Sequence, residues 1–512
     1  MIADPLRPAW RVNIAEALLD DRLPAGRTRP AIRFPGGEWS LEELAQRVGG
    51  LAGELCDEGV SDGDRVALAL PDAPSWVVAF LALLRVGAIA ALVPGSLPRD
   101  RFPDAVERAW PVLMISNDPG LSPRTPSFRP RVPSVGHGHG RDPGPAPTRG
   151  TDPAYLLLTS GSTGRPKWAI HRHRDIPSCL ATYGRHVLRL QPDDVTYSSA
   201  SLASSYGLGN SLYFPLGAGA CAWIDGERPS PSQAAAACVE GGITVMFGVP
   251  TFWARLARHV ADGRVARQTF AGVRLAVSAG EPLPEAVVDA VRRHVGLELV
   301  DGLGSSEATN LYLSNRPGGV IRGSVGHVVP GFDVRVCDAE DNPVTPGRVG
   351  QLLVRGDSVM AGYLGEPVAT ARTLSGGWLH TGDLVQRRDD GAYRFVGRVG
   401  DRFKSGGLWV DPHRVAGLLA RHPAVAEVAV VGVPDQTGVV RVVAVVAAVD
   451  GRDSGLDLDL AKFAVSRLAR HEVPRAFAIV PELPTAPSGK VRRDETARLA
   501  AEALTGGSNV VA

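Results

Sequence analysis

The chain has 512 residues, with 55 Lys and Arg against 54 Asp and Glu, for a net charge of +1. That length exceeds the usual size of one hydrophobic core, so two or more domains are expected, and the balanced charge gives no electrostatic case for nucleic acid or a membrane surface as partner. Five cysteines (Cys56, Cys179, Cys221, Cys238, Cys337) lie apart with no Cys-x-x-Cys pair, and Asp4 and Pro5 stand where a signal region would be apolar, so a reduced, cytoplasmic protein is expected.

Residues 40–55 carry apolar side chains at helical spacing, and Ser40 with Glu43 predicts a capping box. Residues 65–70 predict a strand, and 76–84 a helix behind Asp72 and Pro74. The apolar run 76–93 is broken by Arg85 and Gly87. It reads as a buried helix and then a strand, because a spanning helix needs about 20 unbroken apolar residues. Residues 130–153, rich in Gly, Pro and His, predict a loop whose His137 and His139 read as solvated rather than as metal ligands. Residues 155–158, 242–247 and 273–277 are buried strands, and the alternation with helices predicts α/β layers. After about Gly397 the β-branched runs 425–433 and 439–449 and the amphipathic stretch 456–468 predict a separate, small α+β unit.

The strand at 155–158 runs into Thr159-Ser-Gly-Ser-Thr-Gly-Arg-Pro-Lys167. Gly161 and Gly164 let the backbone approach an anion, while Thr159, Ser160, Ser162 and Thr163 bring hydroxyl donors. Lys167 supplies the charge. The spacing is not that of a Walker A loop. Only four lysines occur (Lys167, Lys404, Lys462, Lys490), and three of them fall in motifs that suit a compact ammonium better than a flat guanidinium.

This order of residues resembles the phosphate loop of the adenylate-forming superfamily, which includes acyl- and aryl-CoA synthetases and peptide-synthetase adenylation domains. The resemblance covers nearly the whole chain. It implies a large N-terminal α/β domain of the acyl-CoA synthetase type over residues 1–399, binding ATP and an aryl acid. It also implies a small, mobile α+β domain over 400–512 that carries a catalytic lysine. By resemblance, Gly280, Glu281 and Pro282 lie against the adenine and the acyl group. Asp301, Gly302, Leu303, Gly304, Ser305 and Ser306 flank the adenine and α-phosphate, and Glu307 binds Mg²⁺. Asp383, in Gly377-Trp-Leu-His-Thr-Gly-Asp383, accepts from the ribose hydroxyls, with Arg398 as a ribose or phosphate contact. Lys490, in Pro487-Ser-Gly-Lys490, joins Glu307 and Thr163 as a catalytic group. The hinge position, commonly Asp or Lys, is Gly400 here, and Trp168 stands where a glycine is common. Gly406 and Gly407 match the loop lining the thiol tunnel.

Ser204-Ser-Tyr-Gly-Leu-Gly-Asn-Ser-Leu212 and Gly248-Val-Pro-Thr251 resemble the benzoate–CoA ligase branch. Tyr206 is then one wall of an aryl pocket, although a lone tyrosine can equally be a core aromatic. Phe247, Ala279, Gly280, Gly302 and Gly304 complete the pocket, and Ser205 adds a hydroxyl. Asn310 replaces a common histidine, which suits a polar or halogen ring substituent. The implied partners are ATP, Mg²⁺ and a small aromatic carboxylate, with no nucleic acid or membrane and a monomer or homodimer. CoA is the first acceptor, with Arg475 as a candidate phosphate contact. An acyl carrier protein's phosphopantetheine is the alternative, since no aromatic residue lies between Pro434 and Val440 to stack on the CoA adenine. The reading from a different class is a nucleotide-binding protein without turnover.

Overall fold

The helix expected over 40–55 forms as Leu41–Asp57 in the computed structural model, and its capping box is closed. Ser40 Oγ accepts from the Glu43 amide at 3.2 Å, while the Glu43 carboxylate accepts from the Ser40 amide at 2.8 Å. The structure describes residues 11–95, 97, 99, 101–118, 127–128, 140–159, 166–226, 230–400, 403–405, 408–449, 455–484 and 491–505. Ser160, Gly161, Ser162, Thr163, Gly164, Gly406, Gly407 and Lys490, along with His137 and His139, lie outside them.

The second expected helix is Pro74–Arg85, with the proline in its first turn, where no amide is needed. Every residue from Trp76 to Arg85 is buried, as its all-round apolar character demands. Arg85 is no surface interruption. Its Nε and Nη2 each donate to Asp142 at 2.8 Å, and Nη1 donates to Asp20 at 2.7 Å. Such pairing is what makes a buried guanidinium tolerable.

Among the described residues, one sheet has seven strands in the order Gly362–Tyr363, Lys167–Arg172, Pro153–Thr159, Ile89–Leu92, Arg65–Ala69, Leu113–Ser116, Ser127–Phe128. A second has nine, running His327–Val328, Leu311–Ser314, Leu299–Gly304, Leu275–Ser278, Val245–Gly248, Val195–Ser198, Cys221–Trp223, Pro30–Phe34, Gly37–Ser40. A five-stranded sheet includes Val349–Gly356, Trp378–Arg387 and Tyr393–Arg398. Trp168, where the resemblance has a glycine, is buried in its strand and donates its indole N–H to the Ala105 carbonyl at 3.0 Å.

The small C-terminal domain has its own three-stranded sheet, Val425–Pro434, Val440–Ala448 and Ala476–Val480. Helices Pro412–Leu419 and Leu456–Val465 pack on it through Val415, Leu419, Leu460, Val442, Val446 and Phe477. The chain is thus a large α/β domain followed by a small α+β domain. No helix of the described residues is long and apolar enough to cross a membrane.

Candidate active site

The parallel strands Val195–Ser198, Val245–Gly248, Leu275–Ser278 and Leu299–Gly304 finish along one edge of the nine-stranded sheet. Ligands of α/β sheets bind outside such carboxyl ends. Phe247, Ala279, the 280–282 turn and Asp301 to Ser306 therefore gather at one rim. The helix Ser205–Leu208 faces them, capped by Ser204 Oγ, which accepts from the Gly207 amide at 3.1 Å. The Tyr206 ring meets Phe247 edge-on, with centroids 6.3 Å apart and planes at 88°. Its hydroxyl donates to the Val277 carbonyl at 3.3 Å, and Ser205 Oγ lies 3.3 Å from Ser306 Oγ.

The remaining candidates of this rim serve packing as well. A Cβ on Gly304 would stand 2.4 Å from the Asn310 carbonyl oxygen, so glycine lets Leu299–Gly304 turn back against Leu311–Ser314. A Cβ on Gly302 would press on Leu311 and Leu313 rather than on open pocket space. Leu303 packs against the large core, and Ser305 Oγ is buried without a partner among the described residues. Asp301 is partly exposed as a residue, yet its Oδ1 is sealed and has no partner among the described residues, and burial pushes its carboxyl well up.

Two candidates have side chains committed inside the protein. Asn310 is buried; its Nδ2 donates to the Tyr213 hydroxyl at 3.0 Å, and its Oδ1 accepts from the Leu311 amide at 2.8 Å. Glu281 accepts from Thr251 Oγ1 at 2.7 Å and from the Val491 amide at 3.1 Å. Its carboxylate therefore joins the two domains beside Lys490 in sequence.

A second group of residues surrounds Asp383. Asp383 and Arg398 face each other across neighbouring strands, with Arg398 Nε 3.0 Å from Asp383 Oδ1. The Tyr312 hydroxyl donates to Oδ2 at 3.0 Å, and Arg398 Nη2 donates to the Thr381 carbonyl at 2.9 Å. Burial raises the Asp383 carboxyl, Arg398 opposes that, and the charge of Glu307 adds to it. Asp383 and Glu307 thus feel each other's field.

Glu307 sits in the short turn Ser306–Ala308, which is gripped from outside. Met360 N donates to the Glu307 carbonyl at 2.7 Å, Ser358 Oγ to that of Ala308 at 3.0 Å, and Thr309 Oγ1 to that of Ser358 at 3.0 Å. Thr309 has φ +68°, a region that β-branched residues avoid, and His171 Nδ1 lies 3.0 Å from its hydroxyl. Such strain persists only where the surroundings over-determine it. The Tyr363 hydroxyl donates to Glu307 Oε1 at 2.8 Å, and Lys167 Nζ lies 5.2 Å from the Tyr363 ring centre. Thr159 and Lys167 are paired across their strands, the Thr159 hydroxyl donating to the Lys167 carbonyl at 3.3 Å.

A family model described as AMP-binding enzyme matches residues 20–364, and one described as AMP-binding enzyme C-terminal domain matches 415–490. The chain belongs to the AMP-binding enzyme family. Within it, the chain is 35% identical over 463 residues to a p-hydroxybenzoic acid–AMP ligase of Mycobacterium tuberculosis, covering 88% of this chain but only 64% of that relative. It is 32% identical to a benzoate–CoA ligase of Thauera aromatica, covering 94% of this chain and 95% of the relative. A benzoate CoA ligase structure from Burkholderia xenovorans superposes with a TM-score of 0.84 at 30% identity, covering 95% and 99% of the two chains.

Several groups around this family member's site had no signal in the sequence. Tyr312, Tyr363 and Thr309 act through partners tens of residues away. Asn210 is wholly buried one helical turn after Tyr206, close enough for its amide to act on the Tyr206 hydroxyl. An asparagine inside an apolar helix, four residues after a candidate pocket tyrosine, was the one clue available.

Proposed function

We propose that the enzyme activates a substituted benzoate-like acid with ATP and passes the aryl group to a thiol, with CoA as acceptor. The observation that carries this reading is a convergence. An aryl wall of Tyr206 on Phe247 lies at the rim that also receives Glu307, with Lys167 linked through Tyr363 and the Asp383–Arg398 pair coupled through charge. The names of the relatives support it, since they are ligases of benzoate and hydroxybenzoate.

In the first half-reaction a carboxylate oxygen of the aryl acid attacks the α-phosphorus of ATP. The bond to the leaving pyrophosphate breaks, and aryl-AMP forms. Asp383 accepts from the ribose hydroxyls, its own oxygens steadied by Arg398 and Tyr312. Lys167 offers its charge to the phosphate chain, with Thr163 and the loop around it. Lys490 bridges carboxylate and phosphate. Fixed charges of this kind, aimed at charge that develops, are usually the largest catalytic contribution.

The donor set fits magnesium. Among the described residues no three His, Cys, Asp or Glu side chains gather as a ready-made cage, and magnesium favours one or two carboxylates with phosphate oxygens. Bound at Glu307, it would neutralise phosphate charge. In the second half-reaction the thiol sulfur attacks the aryl carbonyl, AMP leaves with the bonding electrons, and the thiol proton passes to solvent.

We assign residues 1–399 to nucleotide and aryl acid and 400–512 to delivery of Lys490, with Gly400 as the hinge and Gly406 and Gly407 beside the thiol. The five free cysteines suit the cytoplasm.

Pyrophosphate exchange over substituted benzoates, with CoA added or withheld, tests the reading. The expected result is exchange with a hydroxy- or amino-benzoate and aryl-CoA only when CoA is present. Exchange without any CoA product would move the acceptor to a carrier protein. No exchange with any aryl acid would sink the activity. Lys490→Ala should abolish adenylate formation while sparing thioester formation from supplied aryl-AMP, and equal loss of both would contradict its role.

A further inference from the structure

We propose that Tyr363 decides how Glu307 meets its metal and holds Lys167 at the same time, making it a positioning residue for two nucleotide-binding groups. The inference rests on the assignment of Glu307 to magnesium above. Tyr363 lies in the edge strand Gly362–Tyr363, registered against Ala169, two residues beyond Lys167. Its backbone is pinned, because Tyr363 N donates to Thr370 Oγ1 at 2.9 Å, and the residue is only 9% exposed. One side chain then does two things. The hydroxyl donates to Glu307 Oε1, and the ring face receives the Lys167 ammonium within cation–π range.

The hydroxyl bond has a chemical consequence. With Oε1 engaged, Glu307 presents its other oxygen alone, which is one-oxygen coordination. Magnesium demands near-octahedral geometry and suits such a ligand, whereas calcium readily accepts both oxygens of one carboxylate. Hydrogen bonds to a ligating carboxylate fix its orientation in this way. The backbone at 307–309 is gripped separately by Ser358 and Met360, so removing the hydroxyl frees the carboxylate without moving the turn.

The test uses the full-length enzyme with a non-hydrolysable ATP analogue and reads Mn²⁺ binding by electron paramagnetic resonance, with Mg²⁺ and Ca²⁺ as competitors. Tyr363→Phe keeps the ring and loses the hydroxyl. It should weaken metal binding about 10- to 100-fold, raise calcium relative to magnesium, and leave metal-free analogue affinity unchanged. Tyr363→Leu should in addition weaken metal-free analogue binding several-fold, because Lys167 loses its ring. Unfolding midpoints of the ligand-free variants check that each is folded. Wild-type Mn²⁺ affinity in Tyr363→Phe would overturn the inference if Glu307→Gln loses the metal. Metal binding unchanged in Glu307→Gln would instead overturn the role of Glu307 itself.

Discussion

A carboxylate whose two oxygens are held by a guanidinium and a phenol, as in Asp383, cannot turn away from a ribose laid across it. Charge-assisted hydrogen bonds contribute about 1.5–3 kcal/mol each, so Asp383→Asn should lower ATP affinity roughly tenfold or more by calorimetry. An unchanged affinity in a folded variant would remove the ribose assignment. With both ends of its amide engaged by Tyr213 and Leu311, Asn310→Ala should cost activity on polar-substituted acids and on benzoate alike. It should also destabilise the protein by about 1–3 kcal/mol, because the buried Tyr213 hydroxyl loses its partner. Loss of stability with no change in selectivity would leave Asn310 a purely internal residue. These residues mark the limit of what the sequence could say. Asp383 and Glu307 stood out as candidates because a short motif surrounds each. The commitment of Asn310 to Tyr213, or of Glu281 to Thr251 and Val491, was not legible, because those partners are distant in sequence and no periodicity connects them.

At the scale of elements, the contact between the two domains includes an ion pair that is open to test. Arg255 Nε lies 2.7 Å from Glu427 Oε1, and Glu427 is nearly buried. Arg255→Ala leaves that carboxylate without its cation, so the contact should weaken by about 0.5–3 kcal/mol in a double-mutant cycle with Glu427→Gln. Adenylate formation should slow more than thioester formation from supplied aryl-AMP; equal slowing would detach this contact from domain orientation. Gly400 has φ +93° with open space where a Cβ would stand. Gly400→Ala therefore strains this arrangement by about 1–2 kcal/mol without a clash, and the first half-reaction should slow alone. Helices and strands read well where one signal dominates, as with the capping box of Leu41–Asp57 or the β-branched pair Val425–Pro434 and Val440–Ala448. Arg85 read as an interruption and Trp168 as a departure where a glycine is common. Their actual roles, gathering Asp20 and Asp142 and anchoring to Ala105, depend on segments that only folding brings near.

For the whole molecule, His173 sets an acid limit. It is fully buried, its Nδ1 accepts from the Ile14 amide at 3.3 Å, and burial lowers its pKa from 6.5 to about 4. The folded chain keeps it neutral while the unfolded chain takes up a proton, so stability is present above pH 6.5 and lost as pH falls towards about 4. At 1.36 kcal/mol per pKa unit the loss reaches about 3 kcal/mol. Thermal unfolding across that window should show wild type falling relative to His173→Gln; parallel curves would mean His173 is not the titrating group. The order of strands carries a different consequence. Pro30–Phe34 pairs with Cys221–Trp223, and Ile89–Leu92 pairs with Pro153–Thr159, so early strands sit among late ones in both large sheets. A growing chain that has emerged only through its first hundred or so residues holds the hairpin Pro30–Ser40 with no neighbour to pair against. Long-range pairing of this kind folds slowly. During synthesis the open edge of that hairpin waits for residues beyond 220, while Arg65–Ala69, Ile89–Leu92 and Leu113–Ser116 can already pair with one another.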